Sequence, residues 1–214
     1  MPDLPVAAPT TTPPSRESFV ERSTRETQIS VRLTLPGAEP PRPPQIDTPV
    51  PFLSHMLEAL ARHGALGLTV HARGDTEIDD HHTVEDIGLV LGAALDQALG
   101  QRAGITRFGH FSLCMDETLV DCALDLGGRP YLVFDLPVIA GRRVGSFDCD
   151  LVREFFQALV VQARMNLHLH LRAGGNTHHV VEAAFKGFAR ALRMAAGPDP
   201  LSAGVVPSTK GNLV

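Results

Sequence analysis

The sequence predicts an α+β fold made of two copies of one half-domain, each a mostly antiparallel sheet with helices packed on one face. Two observations carry that prediction. A histidine pair opens two similar segments, Asp80-His81-His82-Thr83-Val84-Glu85-Asp86 and Thr177-His178-His179-Val180-Val181-Glu182-Ala183, 97 residues apart. The pair also lies inside a longer repeat. Glu26–Gly37 matches Glu117–Gly128 at an offset of 91, and Leu57-Glu58-Ala59-Leu60 matches Phe156-Gln157-Ala158-Leu159 at an offset of 99. Similar offsets in a constant order mark a duplicated unit with small insertions.

The elements follow in order. Residues 1–17 are rich in Pro and Thr and too poor in apolar groups to repay ordering, so a disordered tail is expected. Glu26–Leu35 turns Ile29, Val31, Leu33 and Leu35 to one face, a strand stopped by Pro36-Gly37. Six prolines between Ala38 and Pro51 make that stretch a loop. Phe52–His63 spaces Phe52, Leu53, Met56, Leu57 and Leu60 as a helix, with His55 and His63 on its flanks. A short strand over Leu66–Ala72 leads to the first motif helix, His81–Leu99, whose apolar stripe is Ile87, Val90, Leu91, Ala94, Leu95 and Leu99. The second copy gives strands at Phe111–Met115, Thr118–Leu126 and Tyr131–Phe134, a helix near Asp148–Arg164, a strand at Leu167–Leu171 and a helix at Thr177–Ala196. The two half-domains span 18–105 and 106–197, and 198–214 forms a C-terminal tail without periodicity.

Composition narrows the function. A chain of 214 residues with net charge −5 and scattered Lys and Arg has no basic stripe, so nucleic acid is not an expected partner. No apolar run approaches the ~20 residues of a membrane span. The N-terminus lacks the continuous apolar core of a signal peptide. Three cysteines, Cys114, Cys122 and Cys149, share no CxxC spacing, which disfavours a disulfide framework and fits a reducing cytoplasm.

Residues four apart share a helix face, so His81 stands over Glu85 and His178 over Glu182, while His82 and His179 point about 100° away. A lone exposed His–Glu pair is ordinarily a solvated contact of little consequence. Its recurrence at both helix starts of a duplicated unit instead suggests metal ligation. Imidazole and carboxylate without thiolate suit Mn, Fe, Co or Zn alike.

The ordered motifs resemble those of the imidazoleglycerol-phosphate dehydratase family. They are Arg25-Glu26-Thr27, Phe52-Leu53-Ser54-His55-Met56-Leu57, Ile78-Asp79-Asp80-His81-His82-Thr83-Val84-Glu85-Asp86, Arg107-Phe108-Gly109, Met115-Asp116-Glu117, Gly128-Arg129-Pro130-Tyr131, Asn176-Thr177-His178-His179 with Glu182, and Pro207-Ser208-Thr209-Lys210-Gly211. They run from about Ser23 to Asn212. Ser54 departs from the aspartate usual before the first-helix histidine, and the turn after Pro36-Gly37 is proline-rich.

The resemblance implies a cytoplasmic lyase of histidine biosynthesis that dehydrates imidazoleglycerol phosphate to imidazole-acetol phosphate with two Mn²⁺ per active site. One metal would take His55, His82, His178 and Glu182, the other His81, Glu85, His168 and His179. His170, on the same strand face as His168, would play a supporting part. Glu26 is implied as the catalytic base, a carboxylate at a strand start that reaches the site without being a ligand, and its copy Glu117 as structural. Arg107, Arg129, Ser208, Thr209 and Lys210 would bind phosphate, the arginines through bidentate forks. His63 and Lys186 join Glu26 and the metal ligands as substrate-binding positions. The family also implies a homo-oligomeric hollow 24-mer with active sites between subunits.

Two other functions share the ligand set. A binuclear metallohydrolase would use the same clusters but leaves Glu26 and the Ser-Thr-Lys tail unexplained. A metal-storage protein would account for the ten histidines but not for phosphate-binding cations.

Overall fold

A computed structural model describes residues 16–37 and 40–213. The tail expected over residues 1–17 lies outside the described residues up to Ser15. Each half builds one four-stranded sheet with two helices on its inner face.

In the first half, β1 (Glu17–Ser23), β2 (Thr27–Thr34), β3 (Gln45–Asp47) and β4 (Gly67–Gly74) form a sheet in the order β1-β2-β4-β3. In the second, β5 (Phe108–Met115), β6 (Thr118–Asp125), β7 (Tyr131–Asp135) and β10 (Asn166–Ala173) form one in the order β5-β6-β10-β7. Both sheets are antiparallel except at one edge, where β3 runs parallel to β4 and β7 parallel to β10. The two topologies are therefore the same, as the repeat in the sequence requires. Two short strands, β8 (Arg143–Val144) and β9 (Phe147–Asp148), form a hairpin before the third helix.

The helices are α1 (Pro51–Gly64), α2 (His81–Leu99), α3 (Leu151–Ala163) and α4 (Thr177–Ala195). Pro51 sits in the first turn of α1, where its missing N–H costs nothing. Asn176 caps α4, its side-chain oxygen accepting from the backbone N–H of His178 and His179 at 3.0 and 3.4 Å. At α2 the oxygen of Asp79 accepts from His81 N–H at 2.8 Å. The α4 histidine pair is thus fixed by a side-chain cap, and at α2 the carboxylate before the N-cap holds His81 alone.

Alternation decides which sheet face is inner. Ile29, Val31 and Leu33 of β2 and Val120, Cys122 and Leu124 of β6 are buried beneath the helices, while their neighbours face outward. The halves join through helices: α2 packs on α3 and α1 on α4, giving a sheet–helix–helix–sheet stack. Gly88 and Gly92 permit the α2–α3 approach, since a Cβ at either would lie 2.6 Å from Phe155 O or 2.5 Å from Leu159 O. Buried Arg102 fastens the same junction, donating to Leu126 O, Ala163 O and Arg164 O and pairing with Asp96.

Strands β1, β3, β8 and β9 lie outside the sequence expectation. β1 offers buried Ser18 and partly buried Val20 to the interior, too short an apolar pattern to mark a strand. β3 is a three-residue edge inside the proline-rich stretch 38–51, of which Ala38 and Glu39 lie outside the described residues.

Candidate active site

Packing α1 on α4 brings His55 of the first half to His178 and Glu182 of the second. His178 Nε2 lies 3.0 Å from Glu182 Oε2, and His55 Nε2 lies 3.7 Å from the same oxygen. The three donor atoms fall within 4.8 Å of one another, a span that fits a single cation. Glu182 is buried and its other oxygen takes the Lys186 ammonium at 2.6 Å. Burial alone would raise the pKa of this carboxyl, but Lys186 and the two histidines outweigh it and hold the group ionised below its ordinary value. Phe52 packs edge-on against the His178 ring and limits its rotation.

The other motif residues stand apart from that triad. His81 and Glu85 approach to 3.7 Å on the exposed start of α2. His82 Nδ1 lies 3.0 Å from Asp75 and 3.9 Å from Glu26. Asp75, with Glu26, raises the His82 pKa. His179 Nδ1 lies 2.9 Å from Glu117, whose carboxyl this bond pulls down to about 2. Asp116, Glu117 and His179 form the second group of donors within 4.8 Å, and among the described residues only these two groups form. His63, at the end of α1, is lowered in pKa by burial and by Lys186, Arg190 and Arg62.

His168 does not join His81, Glu85 or His179 within the chain. On β10, Leu167 and Leu169 point into the core, so His168 and His170 face outward, opposite α4. There His168 lies beside Tyr131 and near Phe108 and Asp125. The offset of 99 that aligns Leu57 with Phe156 carries His55 to Glu154, half-buried in the first turn of α3. α3 packs on α2 as α1 packs on α4, but Glu154 forms no donor group with the α2 histidines among the described residues.

Ser54 Oγ lies 2.7 Å from Thr48 Oγ1 and donates to Val50 O, closing the entry to α1 rather than touching the triad.

The cationic residues gather elsewhere. Arg107, Arg129, Ser208, Thr209 and Lys210 line one cleft of about 630 Å³. Arg107 has φ +71, is held by Asp125 at 2.7 and 3.1 Å, and donates to Pro207 O, which docks the C-terminal tail. Its backbone N–H donates to Ala195 O at the end of α4. The cleft and the His178 triad therefore sit at opposite ends of α4, about 25 Å apart at 1.5 Å rise per residue.

Fold and site together define a duplicated α+β chain with imidazole–carboxylate clusters at its helix starts and a separate cationic cleft. Known proteins resemble this chain in sequence and fold. The family model for imidazoleglycerol-phosphate dehydratase matches residues 48–192. The imidazoleglycerol-phosphate dehydratase of Thermosynechococcus vestitus is 54% identical over 199 residues, 93% of each chain. That of Cereibacter sphaeroides is 54% identical over 198 residues, 92% of this chain and all of its own. Among solved structures, the Staphylococcus aureus enzyme aligns with a TM-score of 0.75 at 39% identity, covering 85% of this chain and 99% of its own. The Pyrococcus furiosus enzyme, solved in complex with (S)-C348, aligns at 0.77 and 35%, covering 91% of this chain and 100% of its own. The chain belongs to the imidazoleglycerol-phosphate dehydratase family, a family of carbon–oxygen lyases.

Proposed function

We propose that this chain dehydrates imidazoleglycerol phosphate to imidazole-acetol phosphate in histidine biosynthesis, with two Mn²⁺ per active site. The observation that carries the reading is the triad His55, His178 and Glu182, three convergent donors from two halves of the chain with no competing thiolate. Its donor set fits a divalent first-row cation. When bound, the metals would stabilise negative charge on the substrate's imidazole ring, which makes loss of the neighbouring hydroxyl feasible.

The protein's own groups divide the remaining work. His55, His82, His178 and Glu182 would hold one metal, and His81, Glu85 and His179 the other. The eighth position falls to His168, by the family pattern. Glu26, exposed at the start of β2, would remove the proton next to the departing hydroxyl. Arg107, Arg129, Ser208, Thr209 and Lys210 would hold the phosphate, with His63 and Lys186 nearer the ring.

One small substrate cannot span the ~25 Å between the triad and the cationic cleft of one chain. We therefore infer that each active site lies between subunits and draws its metal ligands and its phosphate ligands from more than one chain, in a closed homo-oligomer such as a 24-mer. Cytoplasmic residence agrees with three free cysteines, two of them buried, and among the described residues no helix is long and apolar enough to cross a membrane.

The test is an assay of imidazoleglycerol phosphate beside a simple phosphate monoester, on chelated and on Mn²⁺-reloaded protein. Dehydration only after reloading, without ester hydrolysis, is expected. Release of inorganic phosphate from both substrates would replace this reading with a metallohydrolase.

A further inference from the structure

Each histidine pair presents its second ring to a carboxylate through Nδ1, but the two halves take that carboxylate from different places. In the second half it is Glu117, 2.9 Å from His179. Its repeat partner in the first half is Glu26, at an offset of 91, yet Glu26 stands 3.9 Å from His82. Asp75, immediately after β4, takes the ring instead, with its two oxygens 3.0 and 3.3 Å from Nδ1. The side chain of Asp75 is 14% exposed and that of Glu26 is 57% exposed, so one carboxylate is held and the other is open.

The second half has no room for an Asp75 equivalent. The offset of 99 that superposes β4 on β10 carries Asp75 to Gly174, where φ is +113 and a Cβ would lie 2.4 Å from Thr118 Oγ1 and 2.8 Å from Thr118 Cα. The surroundings of Glu26 differ between halves in the same sense. Thr24 Oγ1 accepts from the backbone N–H of Glu26 and Thr27 at 3.1 and 2.9 Å. Thr27 donates to buried Asp86, which Arg22 also pairs at 3.0 Å. The repeat positions of Arg22, Thr24 and Asp86 are Leu113, Met115 and Ala183, none of which can make these bonds. Only the first half carries a polar frame that fixes the backbone around its strand-start glutamate and a spare carboxylate that takes the histidine off it.

We propose that Asp75 is a positioning residue that accepts the Nδ1 proton of His82, leaving Nε2 as the ligand atom and keeping the Glu26 carboxylate free for proton transfer. This rests on the reading of Glu26 as the base and His82 as a ligand. Without Asp75, Glu26 would close the 3.9 Å gap and take up the structural part that Glu117 plays.

The experiment compares wild type, Asp75→Ala, Asp75→Asn, Glu26→Gln and Asp75→Ala/Glu26→Gln as assembled proteins. Mn²⁺ affinity is read by titration of the metal-free form, and kcat and KM with imidazoleglycerol phosphate. For Asp75→Ala the expected result is a kcat at least ~10-fold lower at nearly unchanged KM, with Mn²⁺ binding weakened by up to ~10–100-fold, as for other removals of a histidine-orienting carboxylate. Asp75→Asn, whose amide oxygen still accepts from Nδ1, should recover most of both. The double variant should turn over no more slowly than Glu26→Gln alone but bind Mn²⁺ more weakly than Asp75→Ala. Asp75→Ala matching wild type in both kcat and Mn²⁺ affinity overturns the proposal, as does Asp75→Asn as damaging as Asp75→Ala. Should Asp75→Ala not assemble, Asp75→Ser, too short to reach the ring, carries the same expectations. A wild type that does not dehydrate the substrate would instead remove the reading on which the proposal rests.

Discussion

His55 and Glu182 meet across the two halves of the chain, Nε2 to Oε2 at 3.7 Å. Neither half alone could make that contact, because it exists only where α1 of one copy packs on α4 of the other. Duplication therefore built the site as well as the fold. Glu182 is the hinge of the arrangement: it is buried, accepts from Lys186 and faces two imidazoles.

Removing that carboxylate should show first in the metal. Glu182→Gln keeps the shape but lacks the charge that two histidines and Lys186 face, and His178→Ala removes a donor outright. Both should lose one of the two metals, and activity with it. Metal analysis of the purified variants beside kinetics checks the order; full metal content with lost turnover would give Glu182 a different role.

Arg129 belongs to the cationic cleft and not to the donor triad. Arg129→Ala should raise KM by roughly 10-fold or more at little cost in kcat, since phosphate is held alike in ground and transition states. Steady-state kinetics decide, and a sharp fall in kcat at constant KM would place Arg129 in the chemistry.

The ~25 Å separation of cleft and triad along α4 makes a prediction about mixed assemblies. Glu182→Gln chains and Arg129→Ala/Lys210→Ala chains, co-expressed so that they assemble together, should regain up to about a quarter of wild-type activity if sites draw on two subunits at random. Activity no higher than the sum of the parents would mean that each chain closes its own site.

Gly92→Ala probes the junction of the halves. Alanine is intrinsically better in a helix by about 1 kcal/mol, but its Cβ would meet Leu159 O at 2.5 Å and Gln162 Cβ at 2.8 Å. A backbone carbonyl cannot move aside without displacing α3, so overpacking should win, with a net loss of up to about 2 kcal/mol. Thermal or urea unfolding measures it, and an unchanged or raised midpoint would show that the α2–α3 contact is adaptable.

Local order was legible where periodicity was strong. The motif helix α2 spans His81–Leu99 as its apolar stripe dictates, and β2 buries the alternate residues that the sequence marks. What escaped was decided by partners distant in the chain. β1 has only Ser18 and partly buried Val20 facing inward, and is held by pairing to β2 rather than by a pattern of its own. The union of His55 with Glu182 depends on helix packing, which a spacing argument within one helix cannot see. His168 and His170 share a strand face that the alternating Leu167 and Leu169 mark as the outer one, but nothing in that alternation says what the outer face meets. Asp75 looks like an ordinary polar residue after a strand until Gly174, at its repeat position, shows that the two halves differ there.

The most direct measurement is kcat together with metal content for Glu26→Gln. Glutamine keeps the shape and one acceptor but takes no proton at neutral pH. Glu26 is a base and not a ligand in this account, so both metals should remain and KM should hardly change while kcat falls by about 10²–10⁴-fold. Retention of more than about a tenth of wild-type kcat, a smaller loss than base removal gives, would contradict the account, as would loss of a metal; either result would move the proton transfer to another group, with His63 the first to examine.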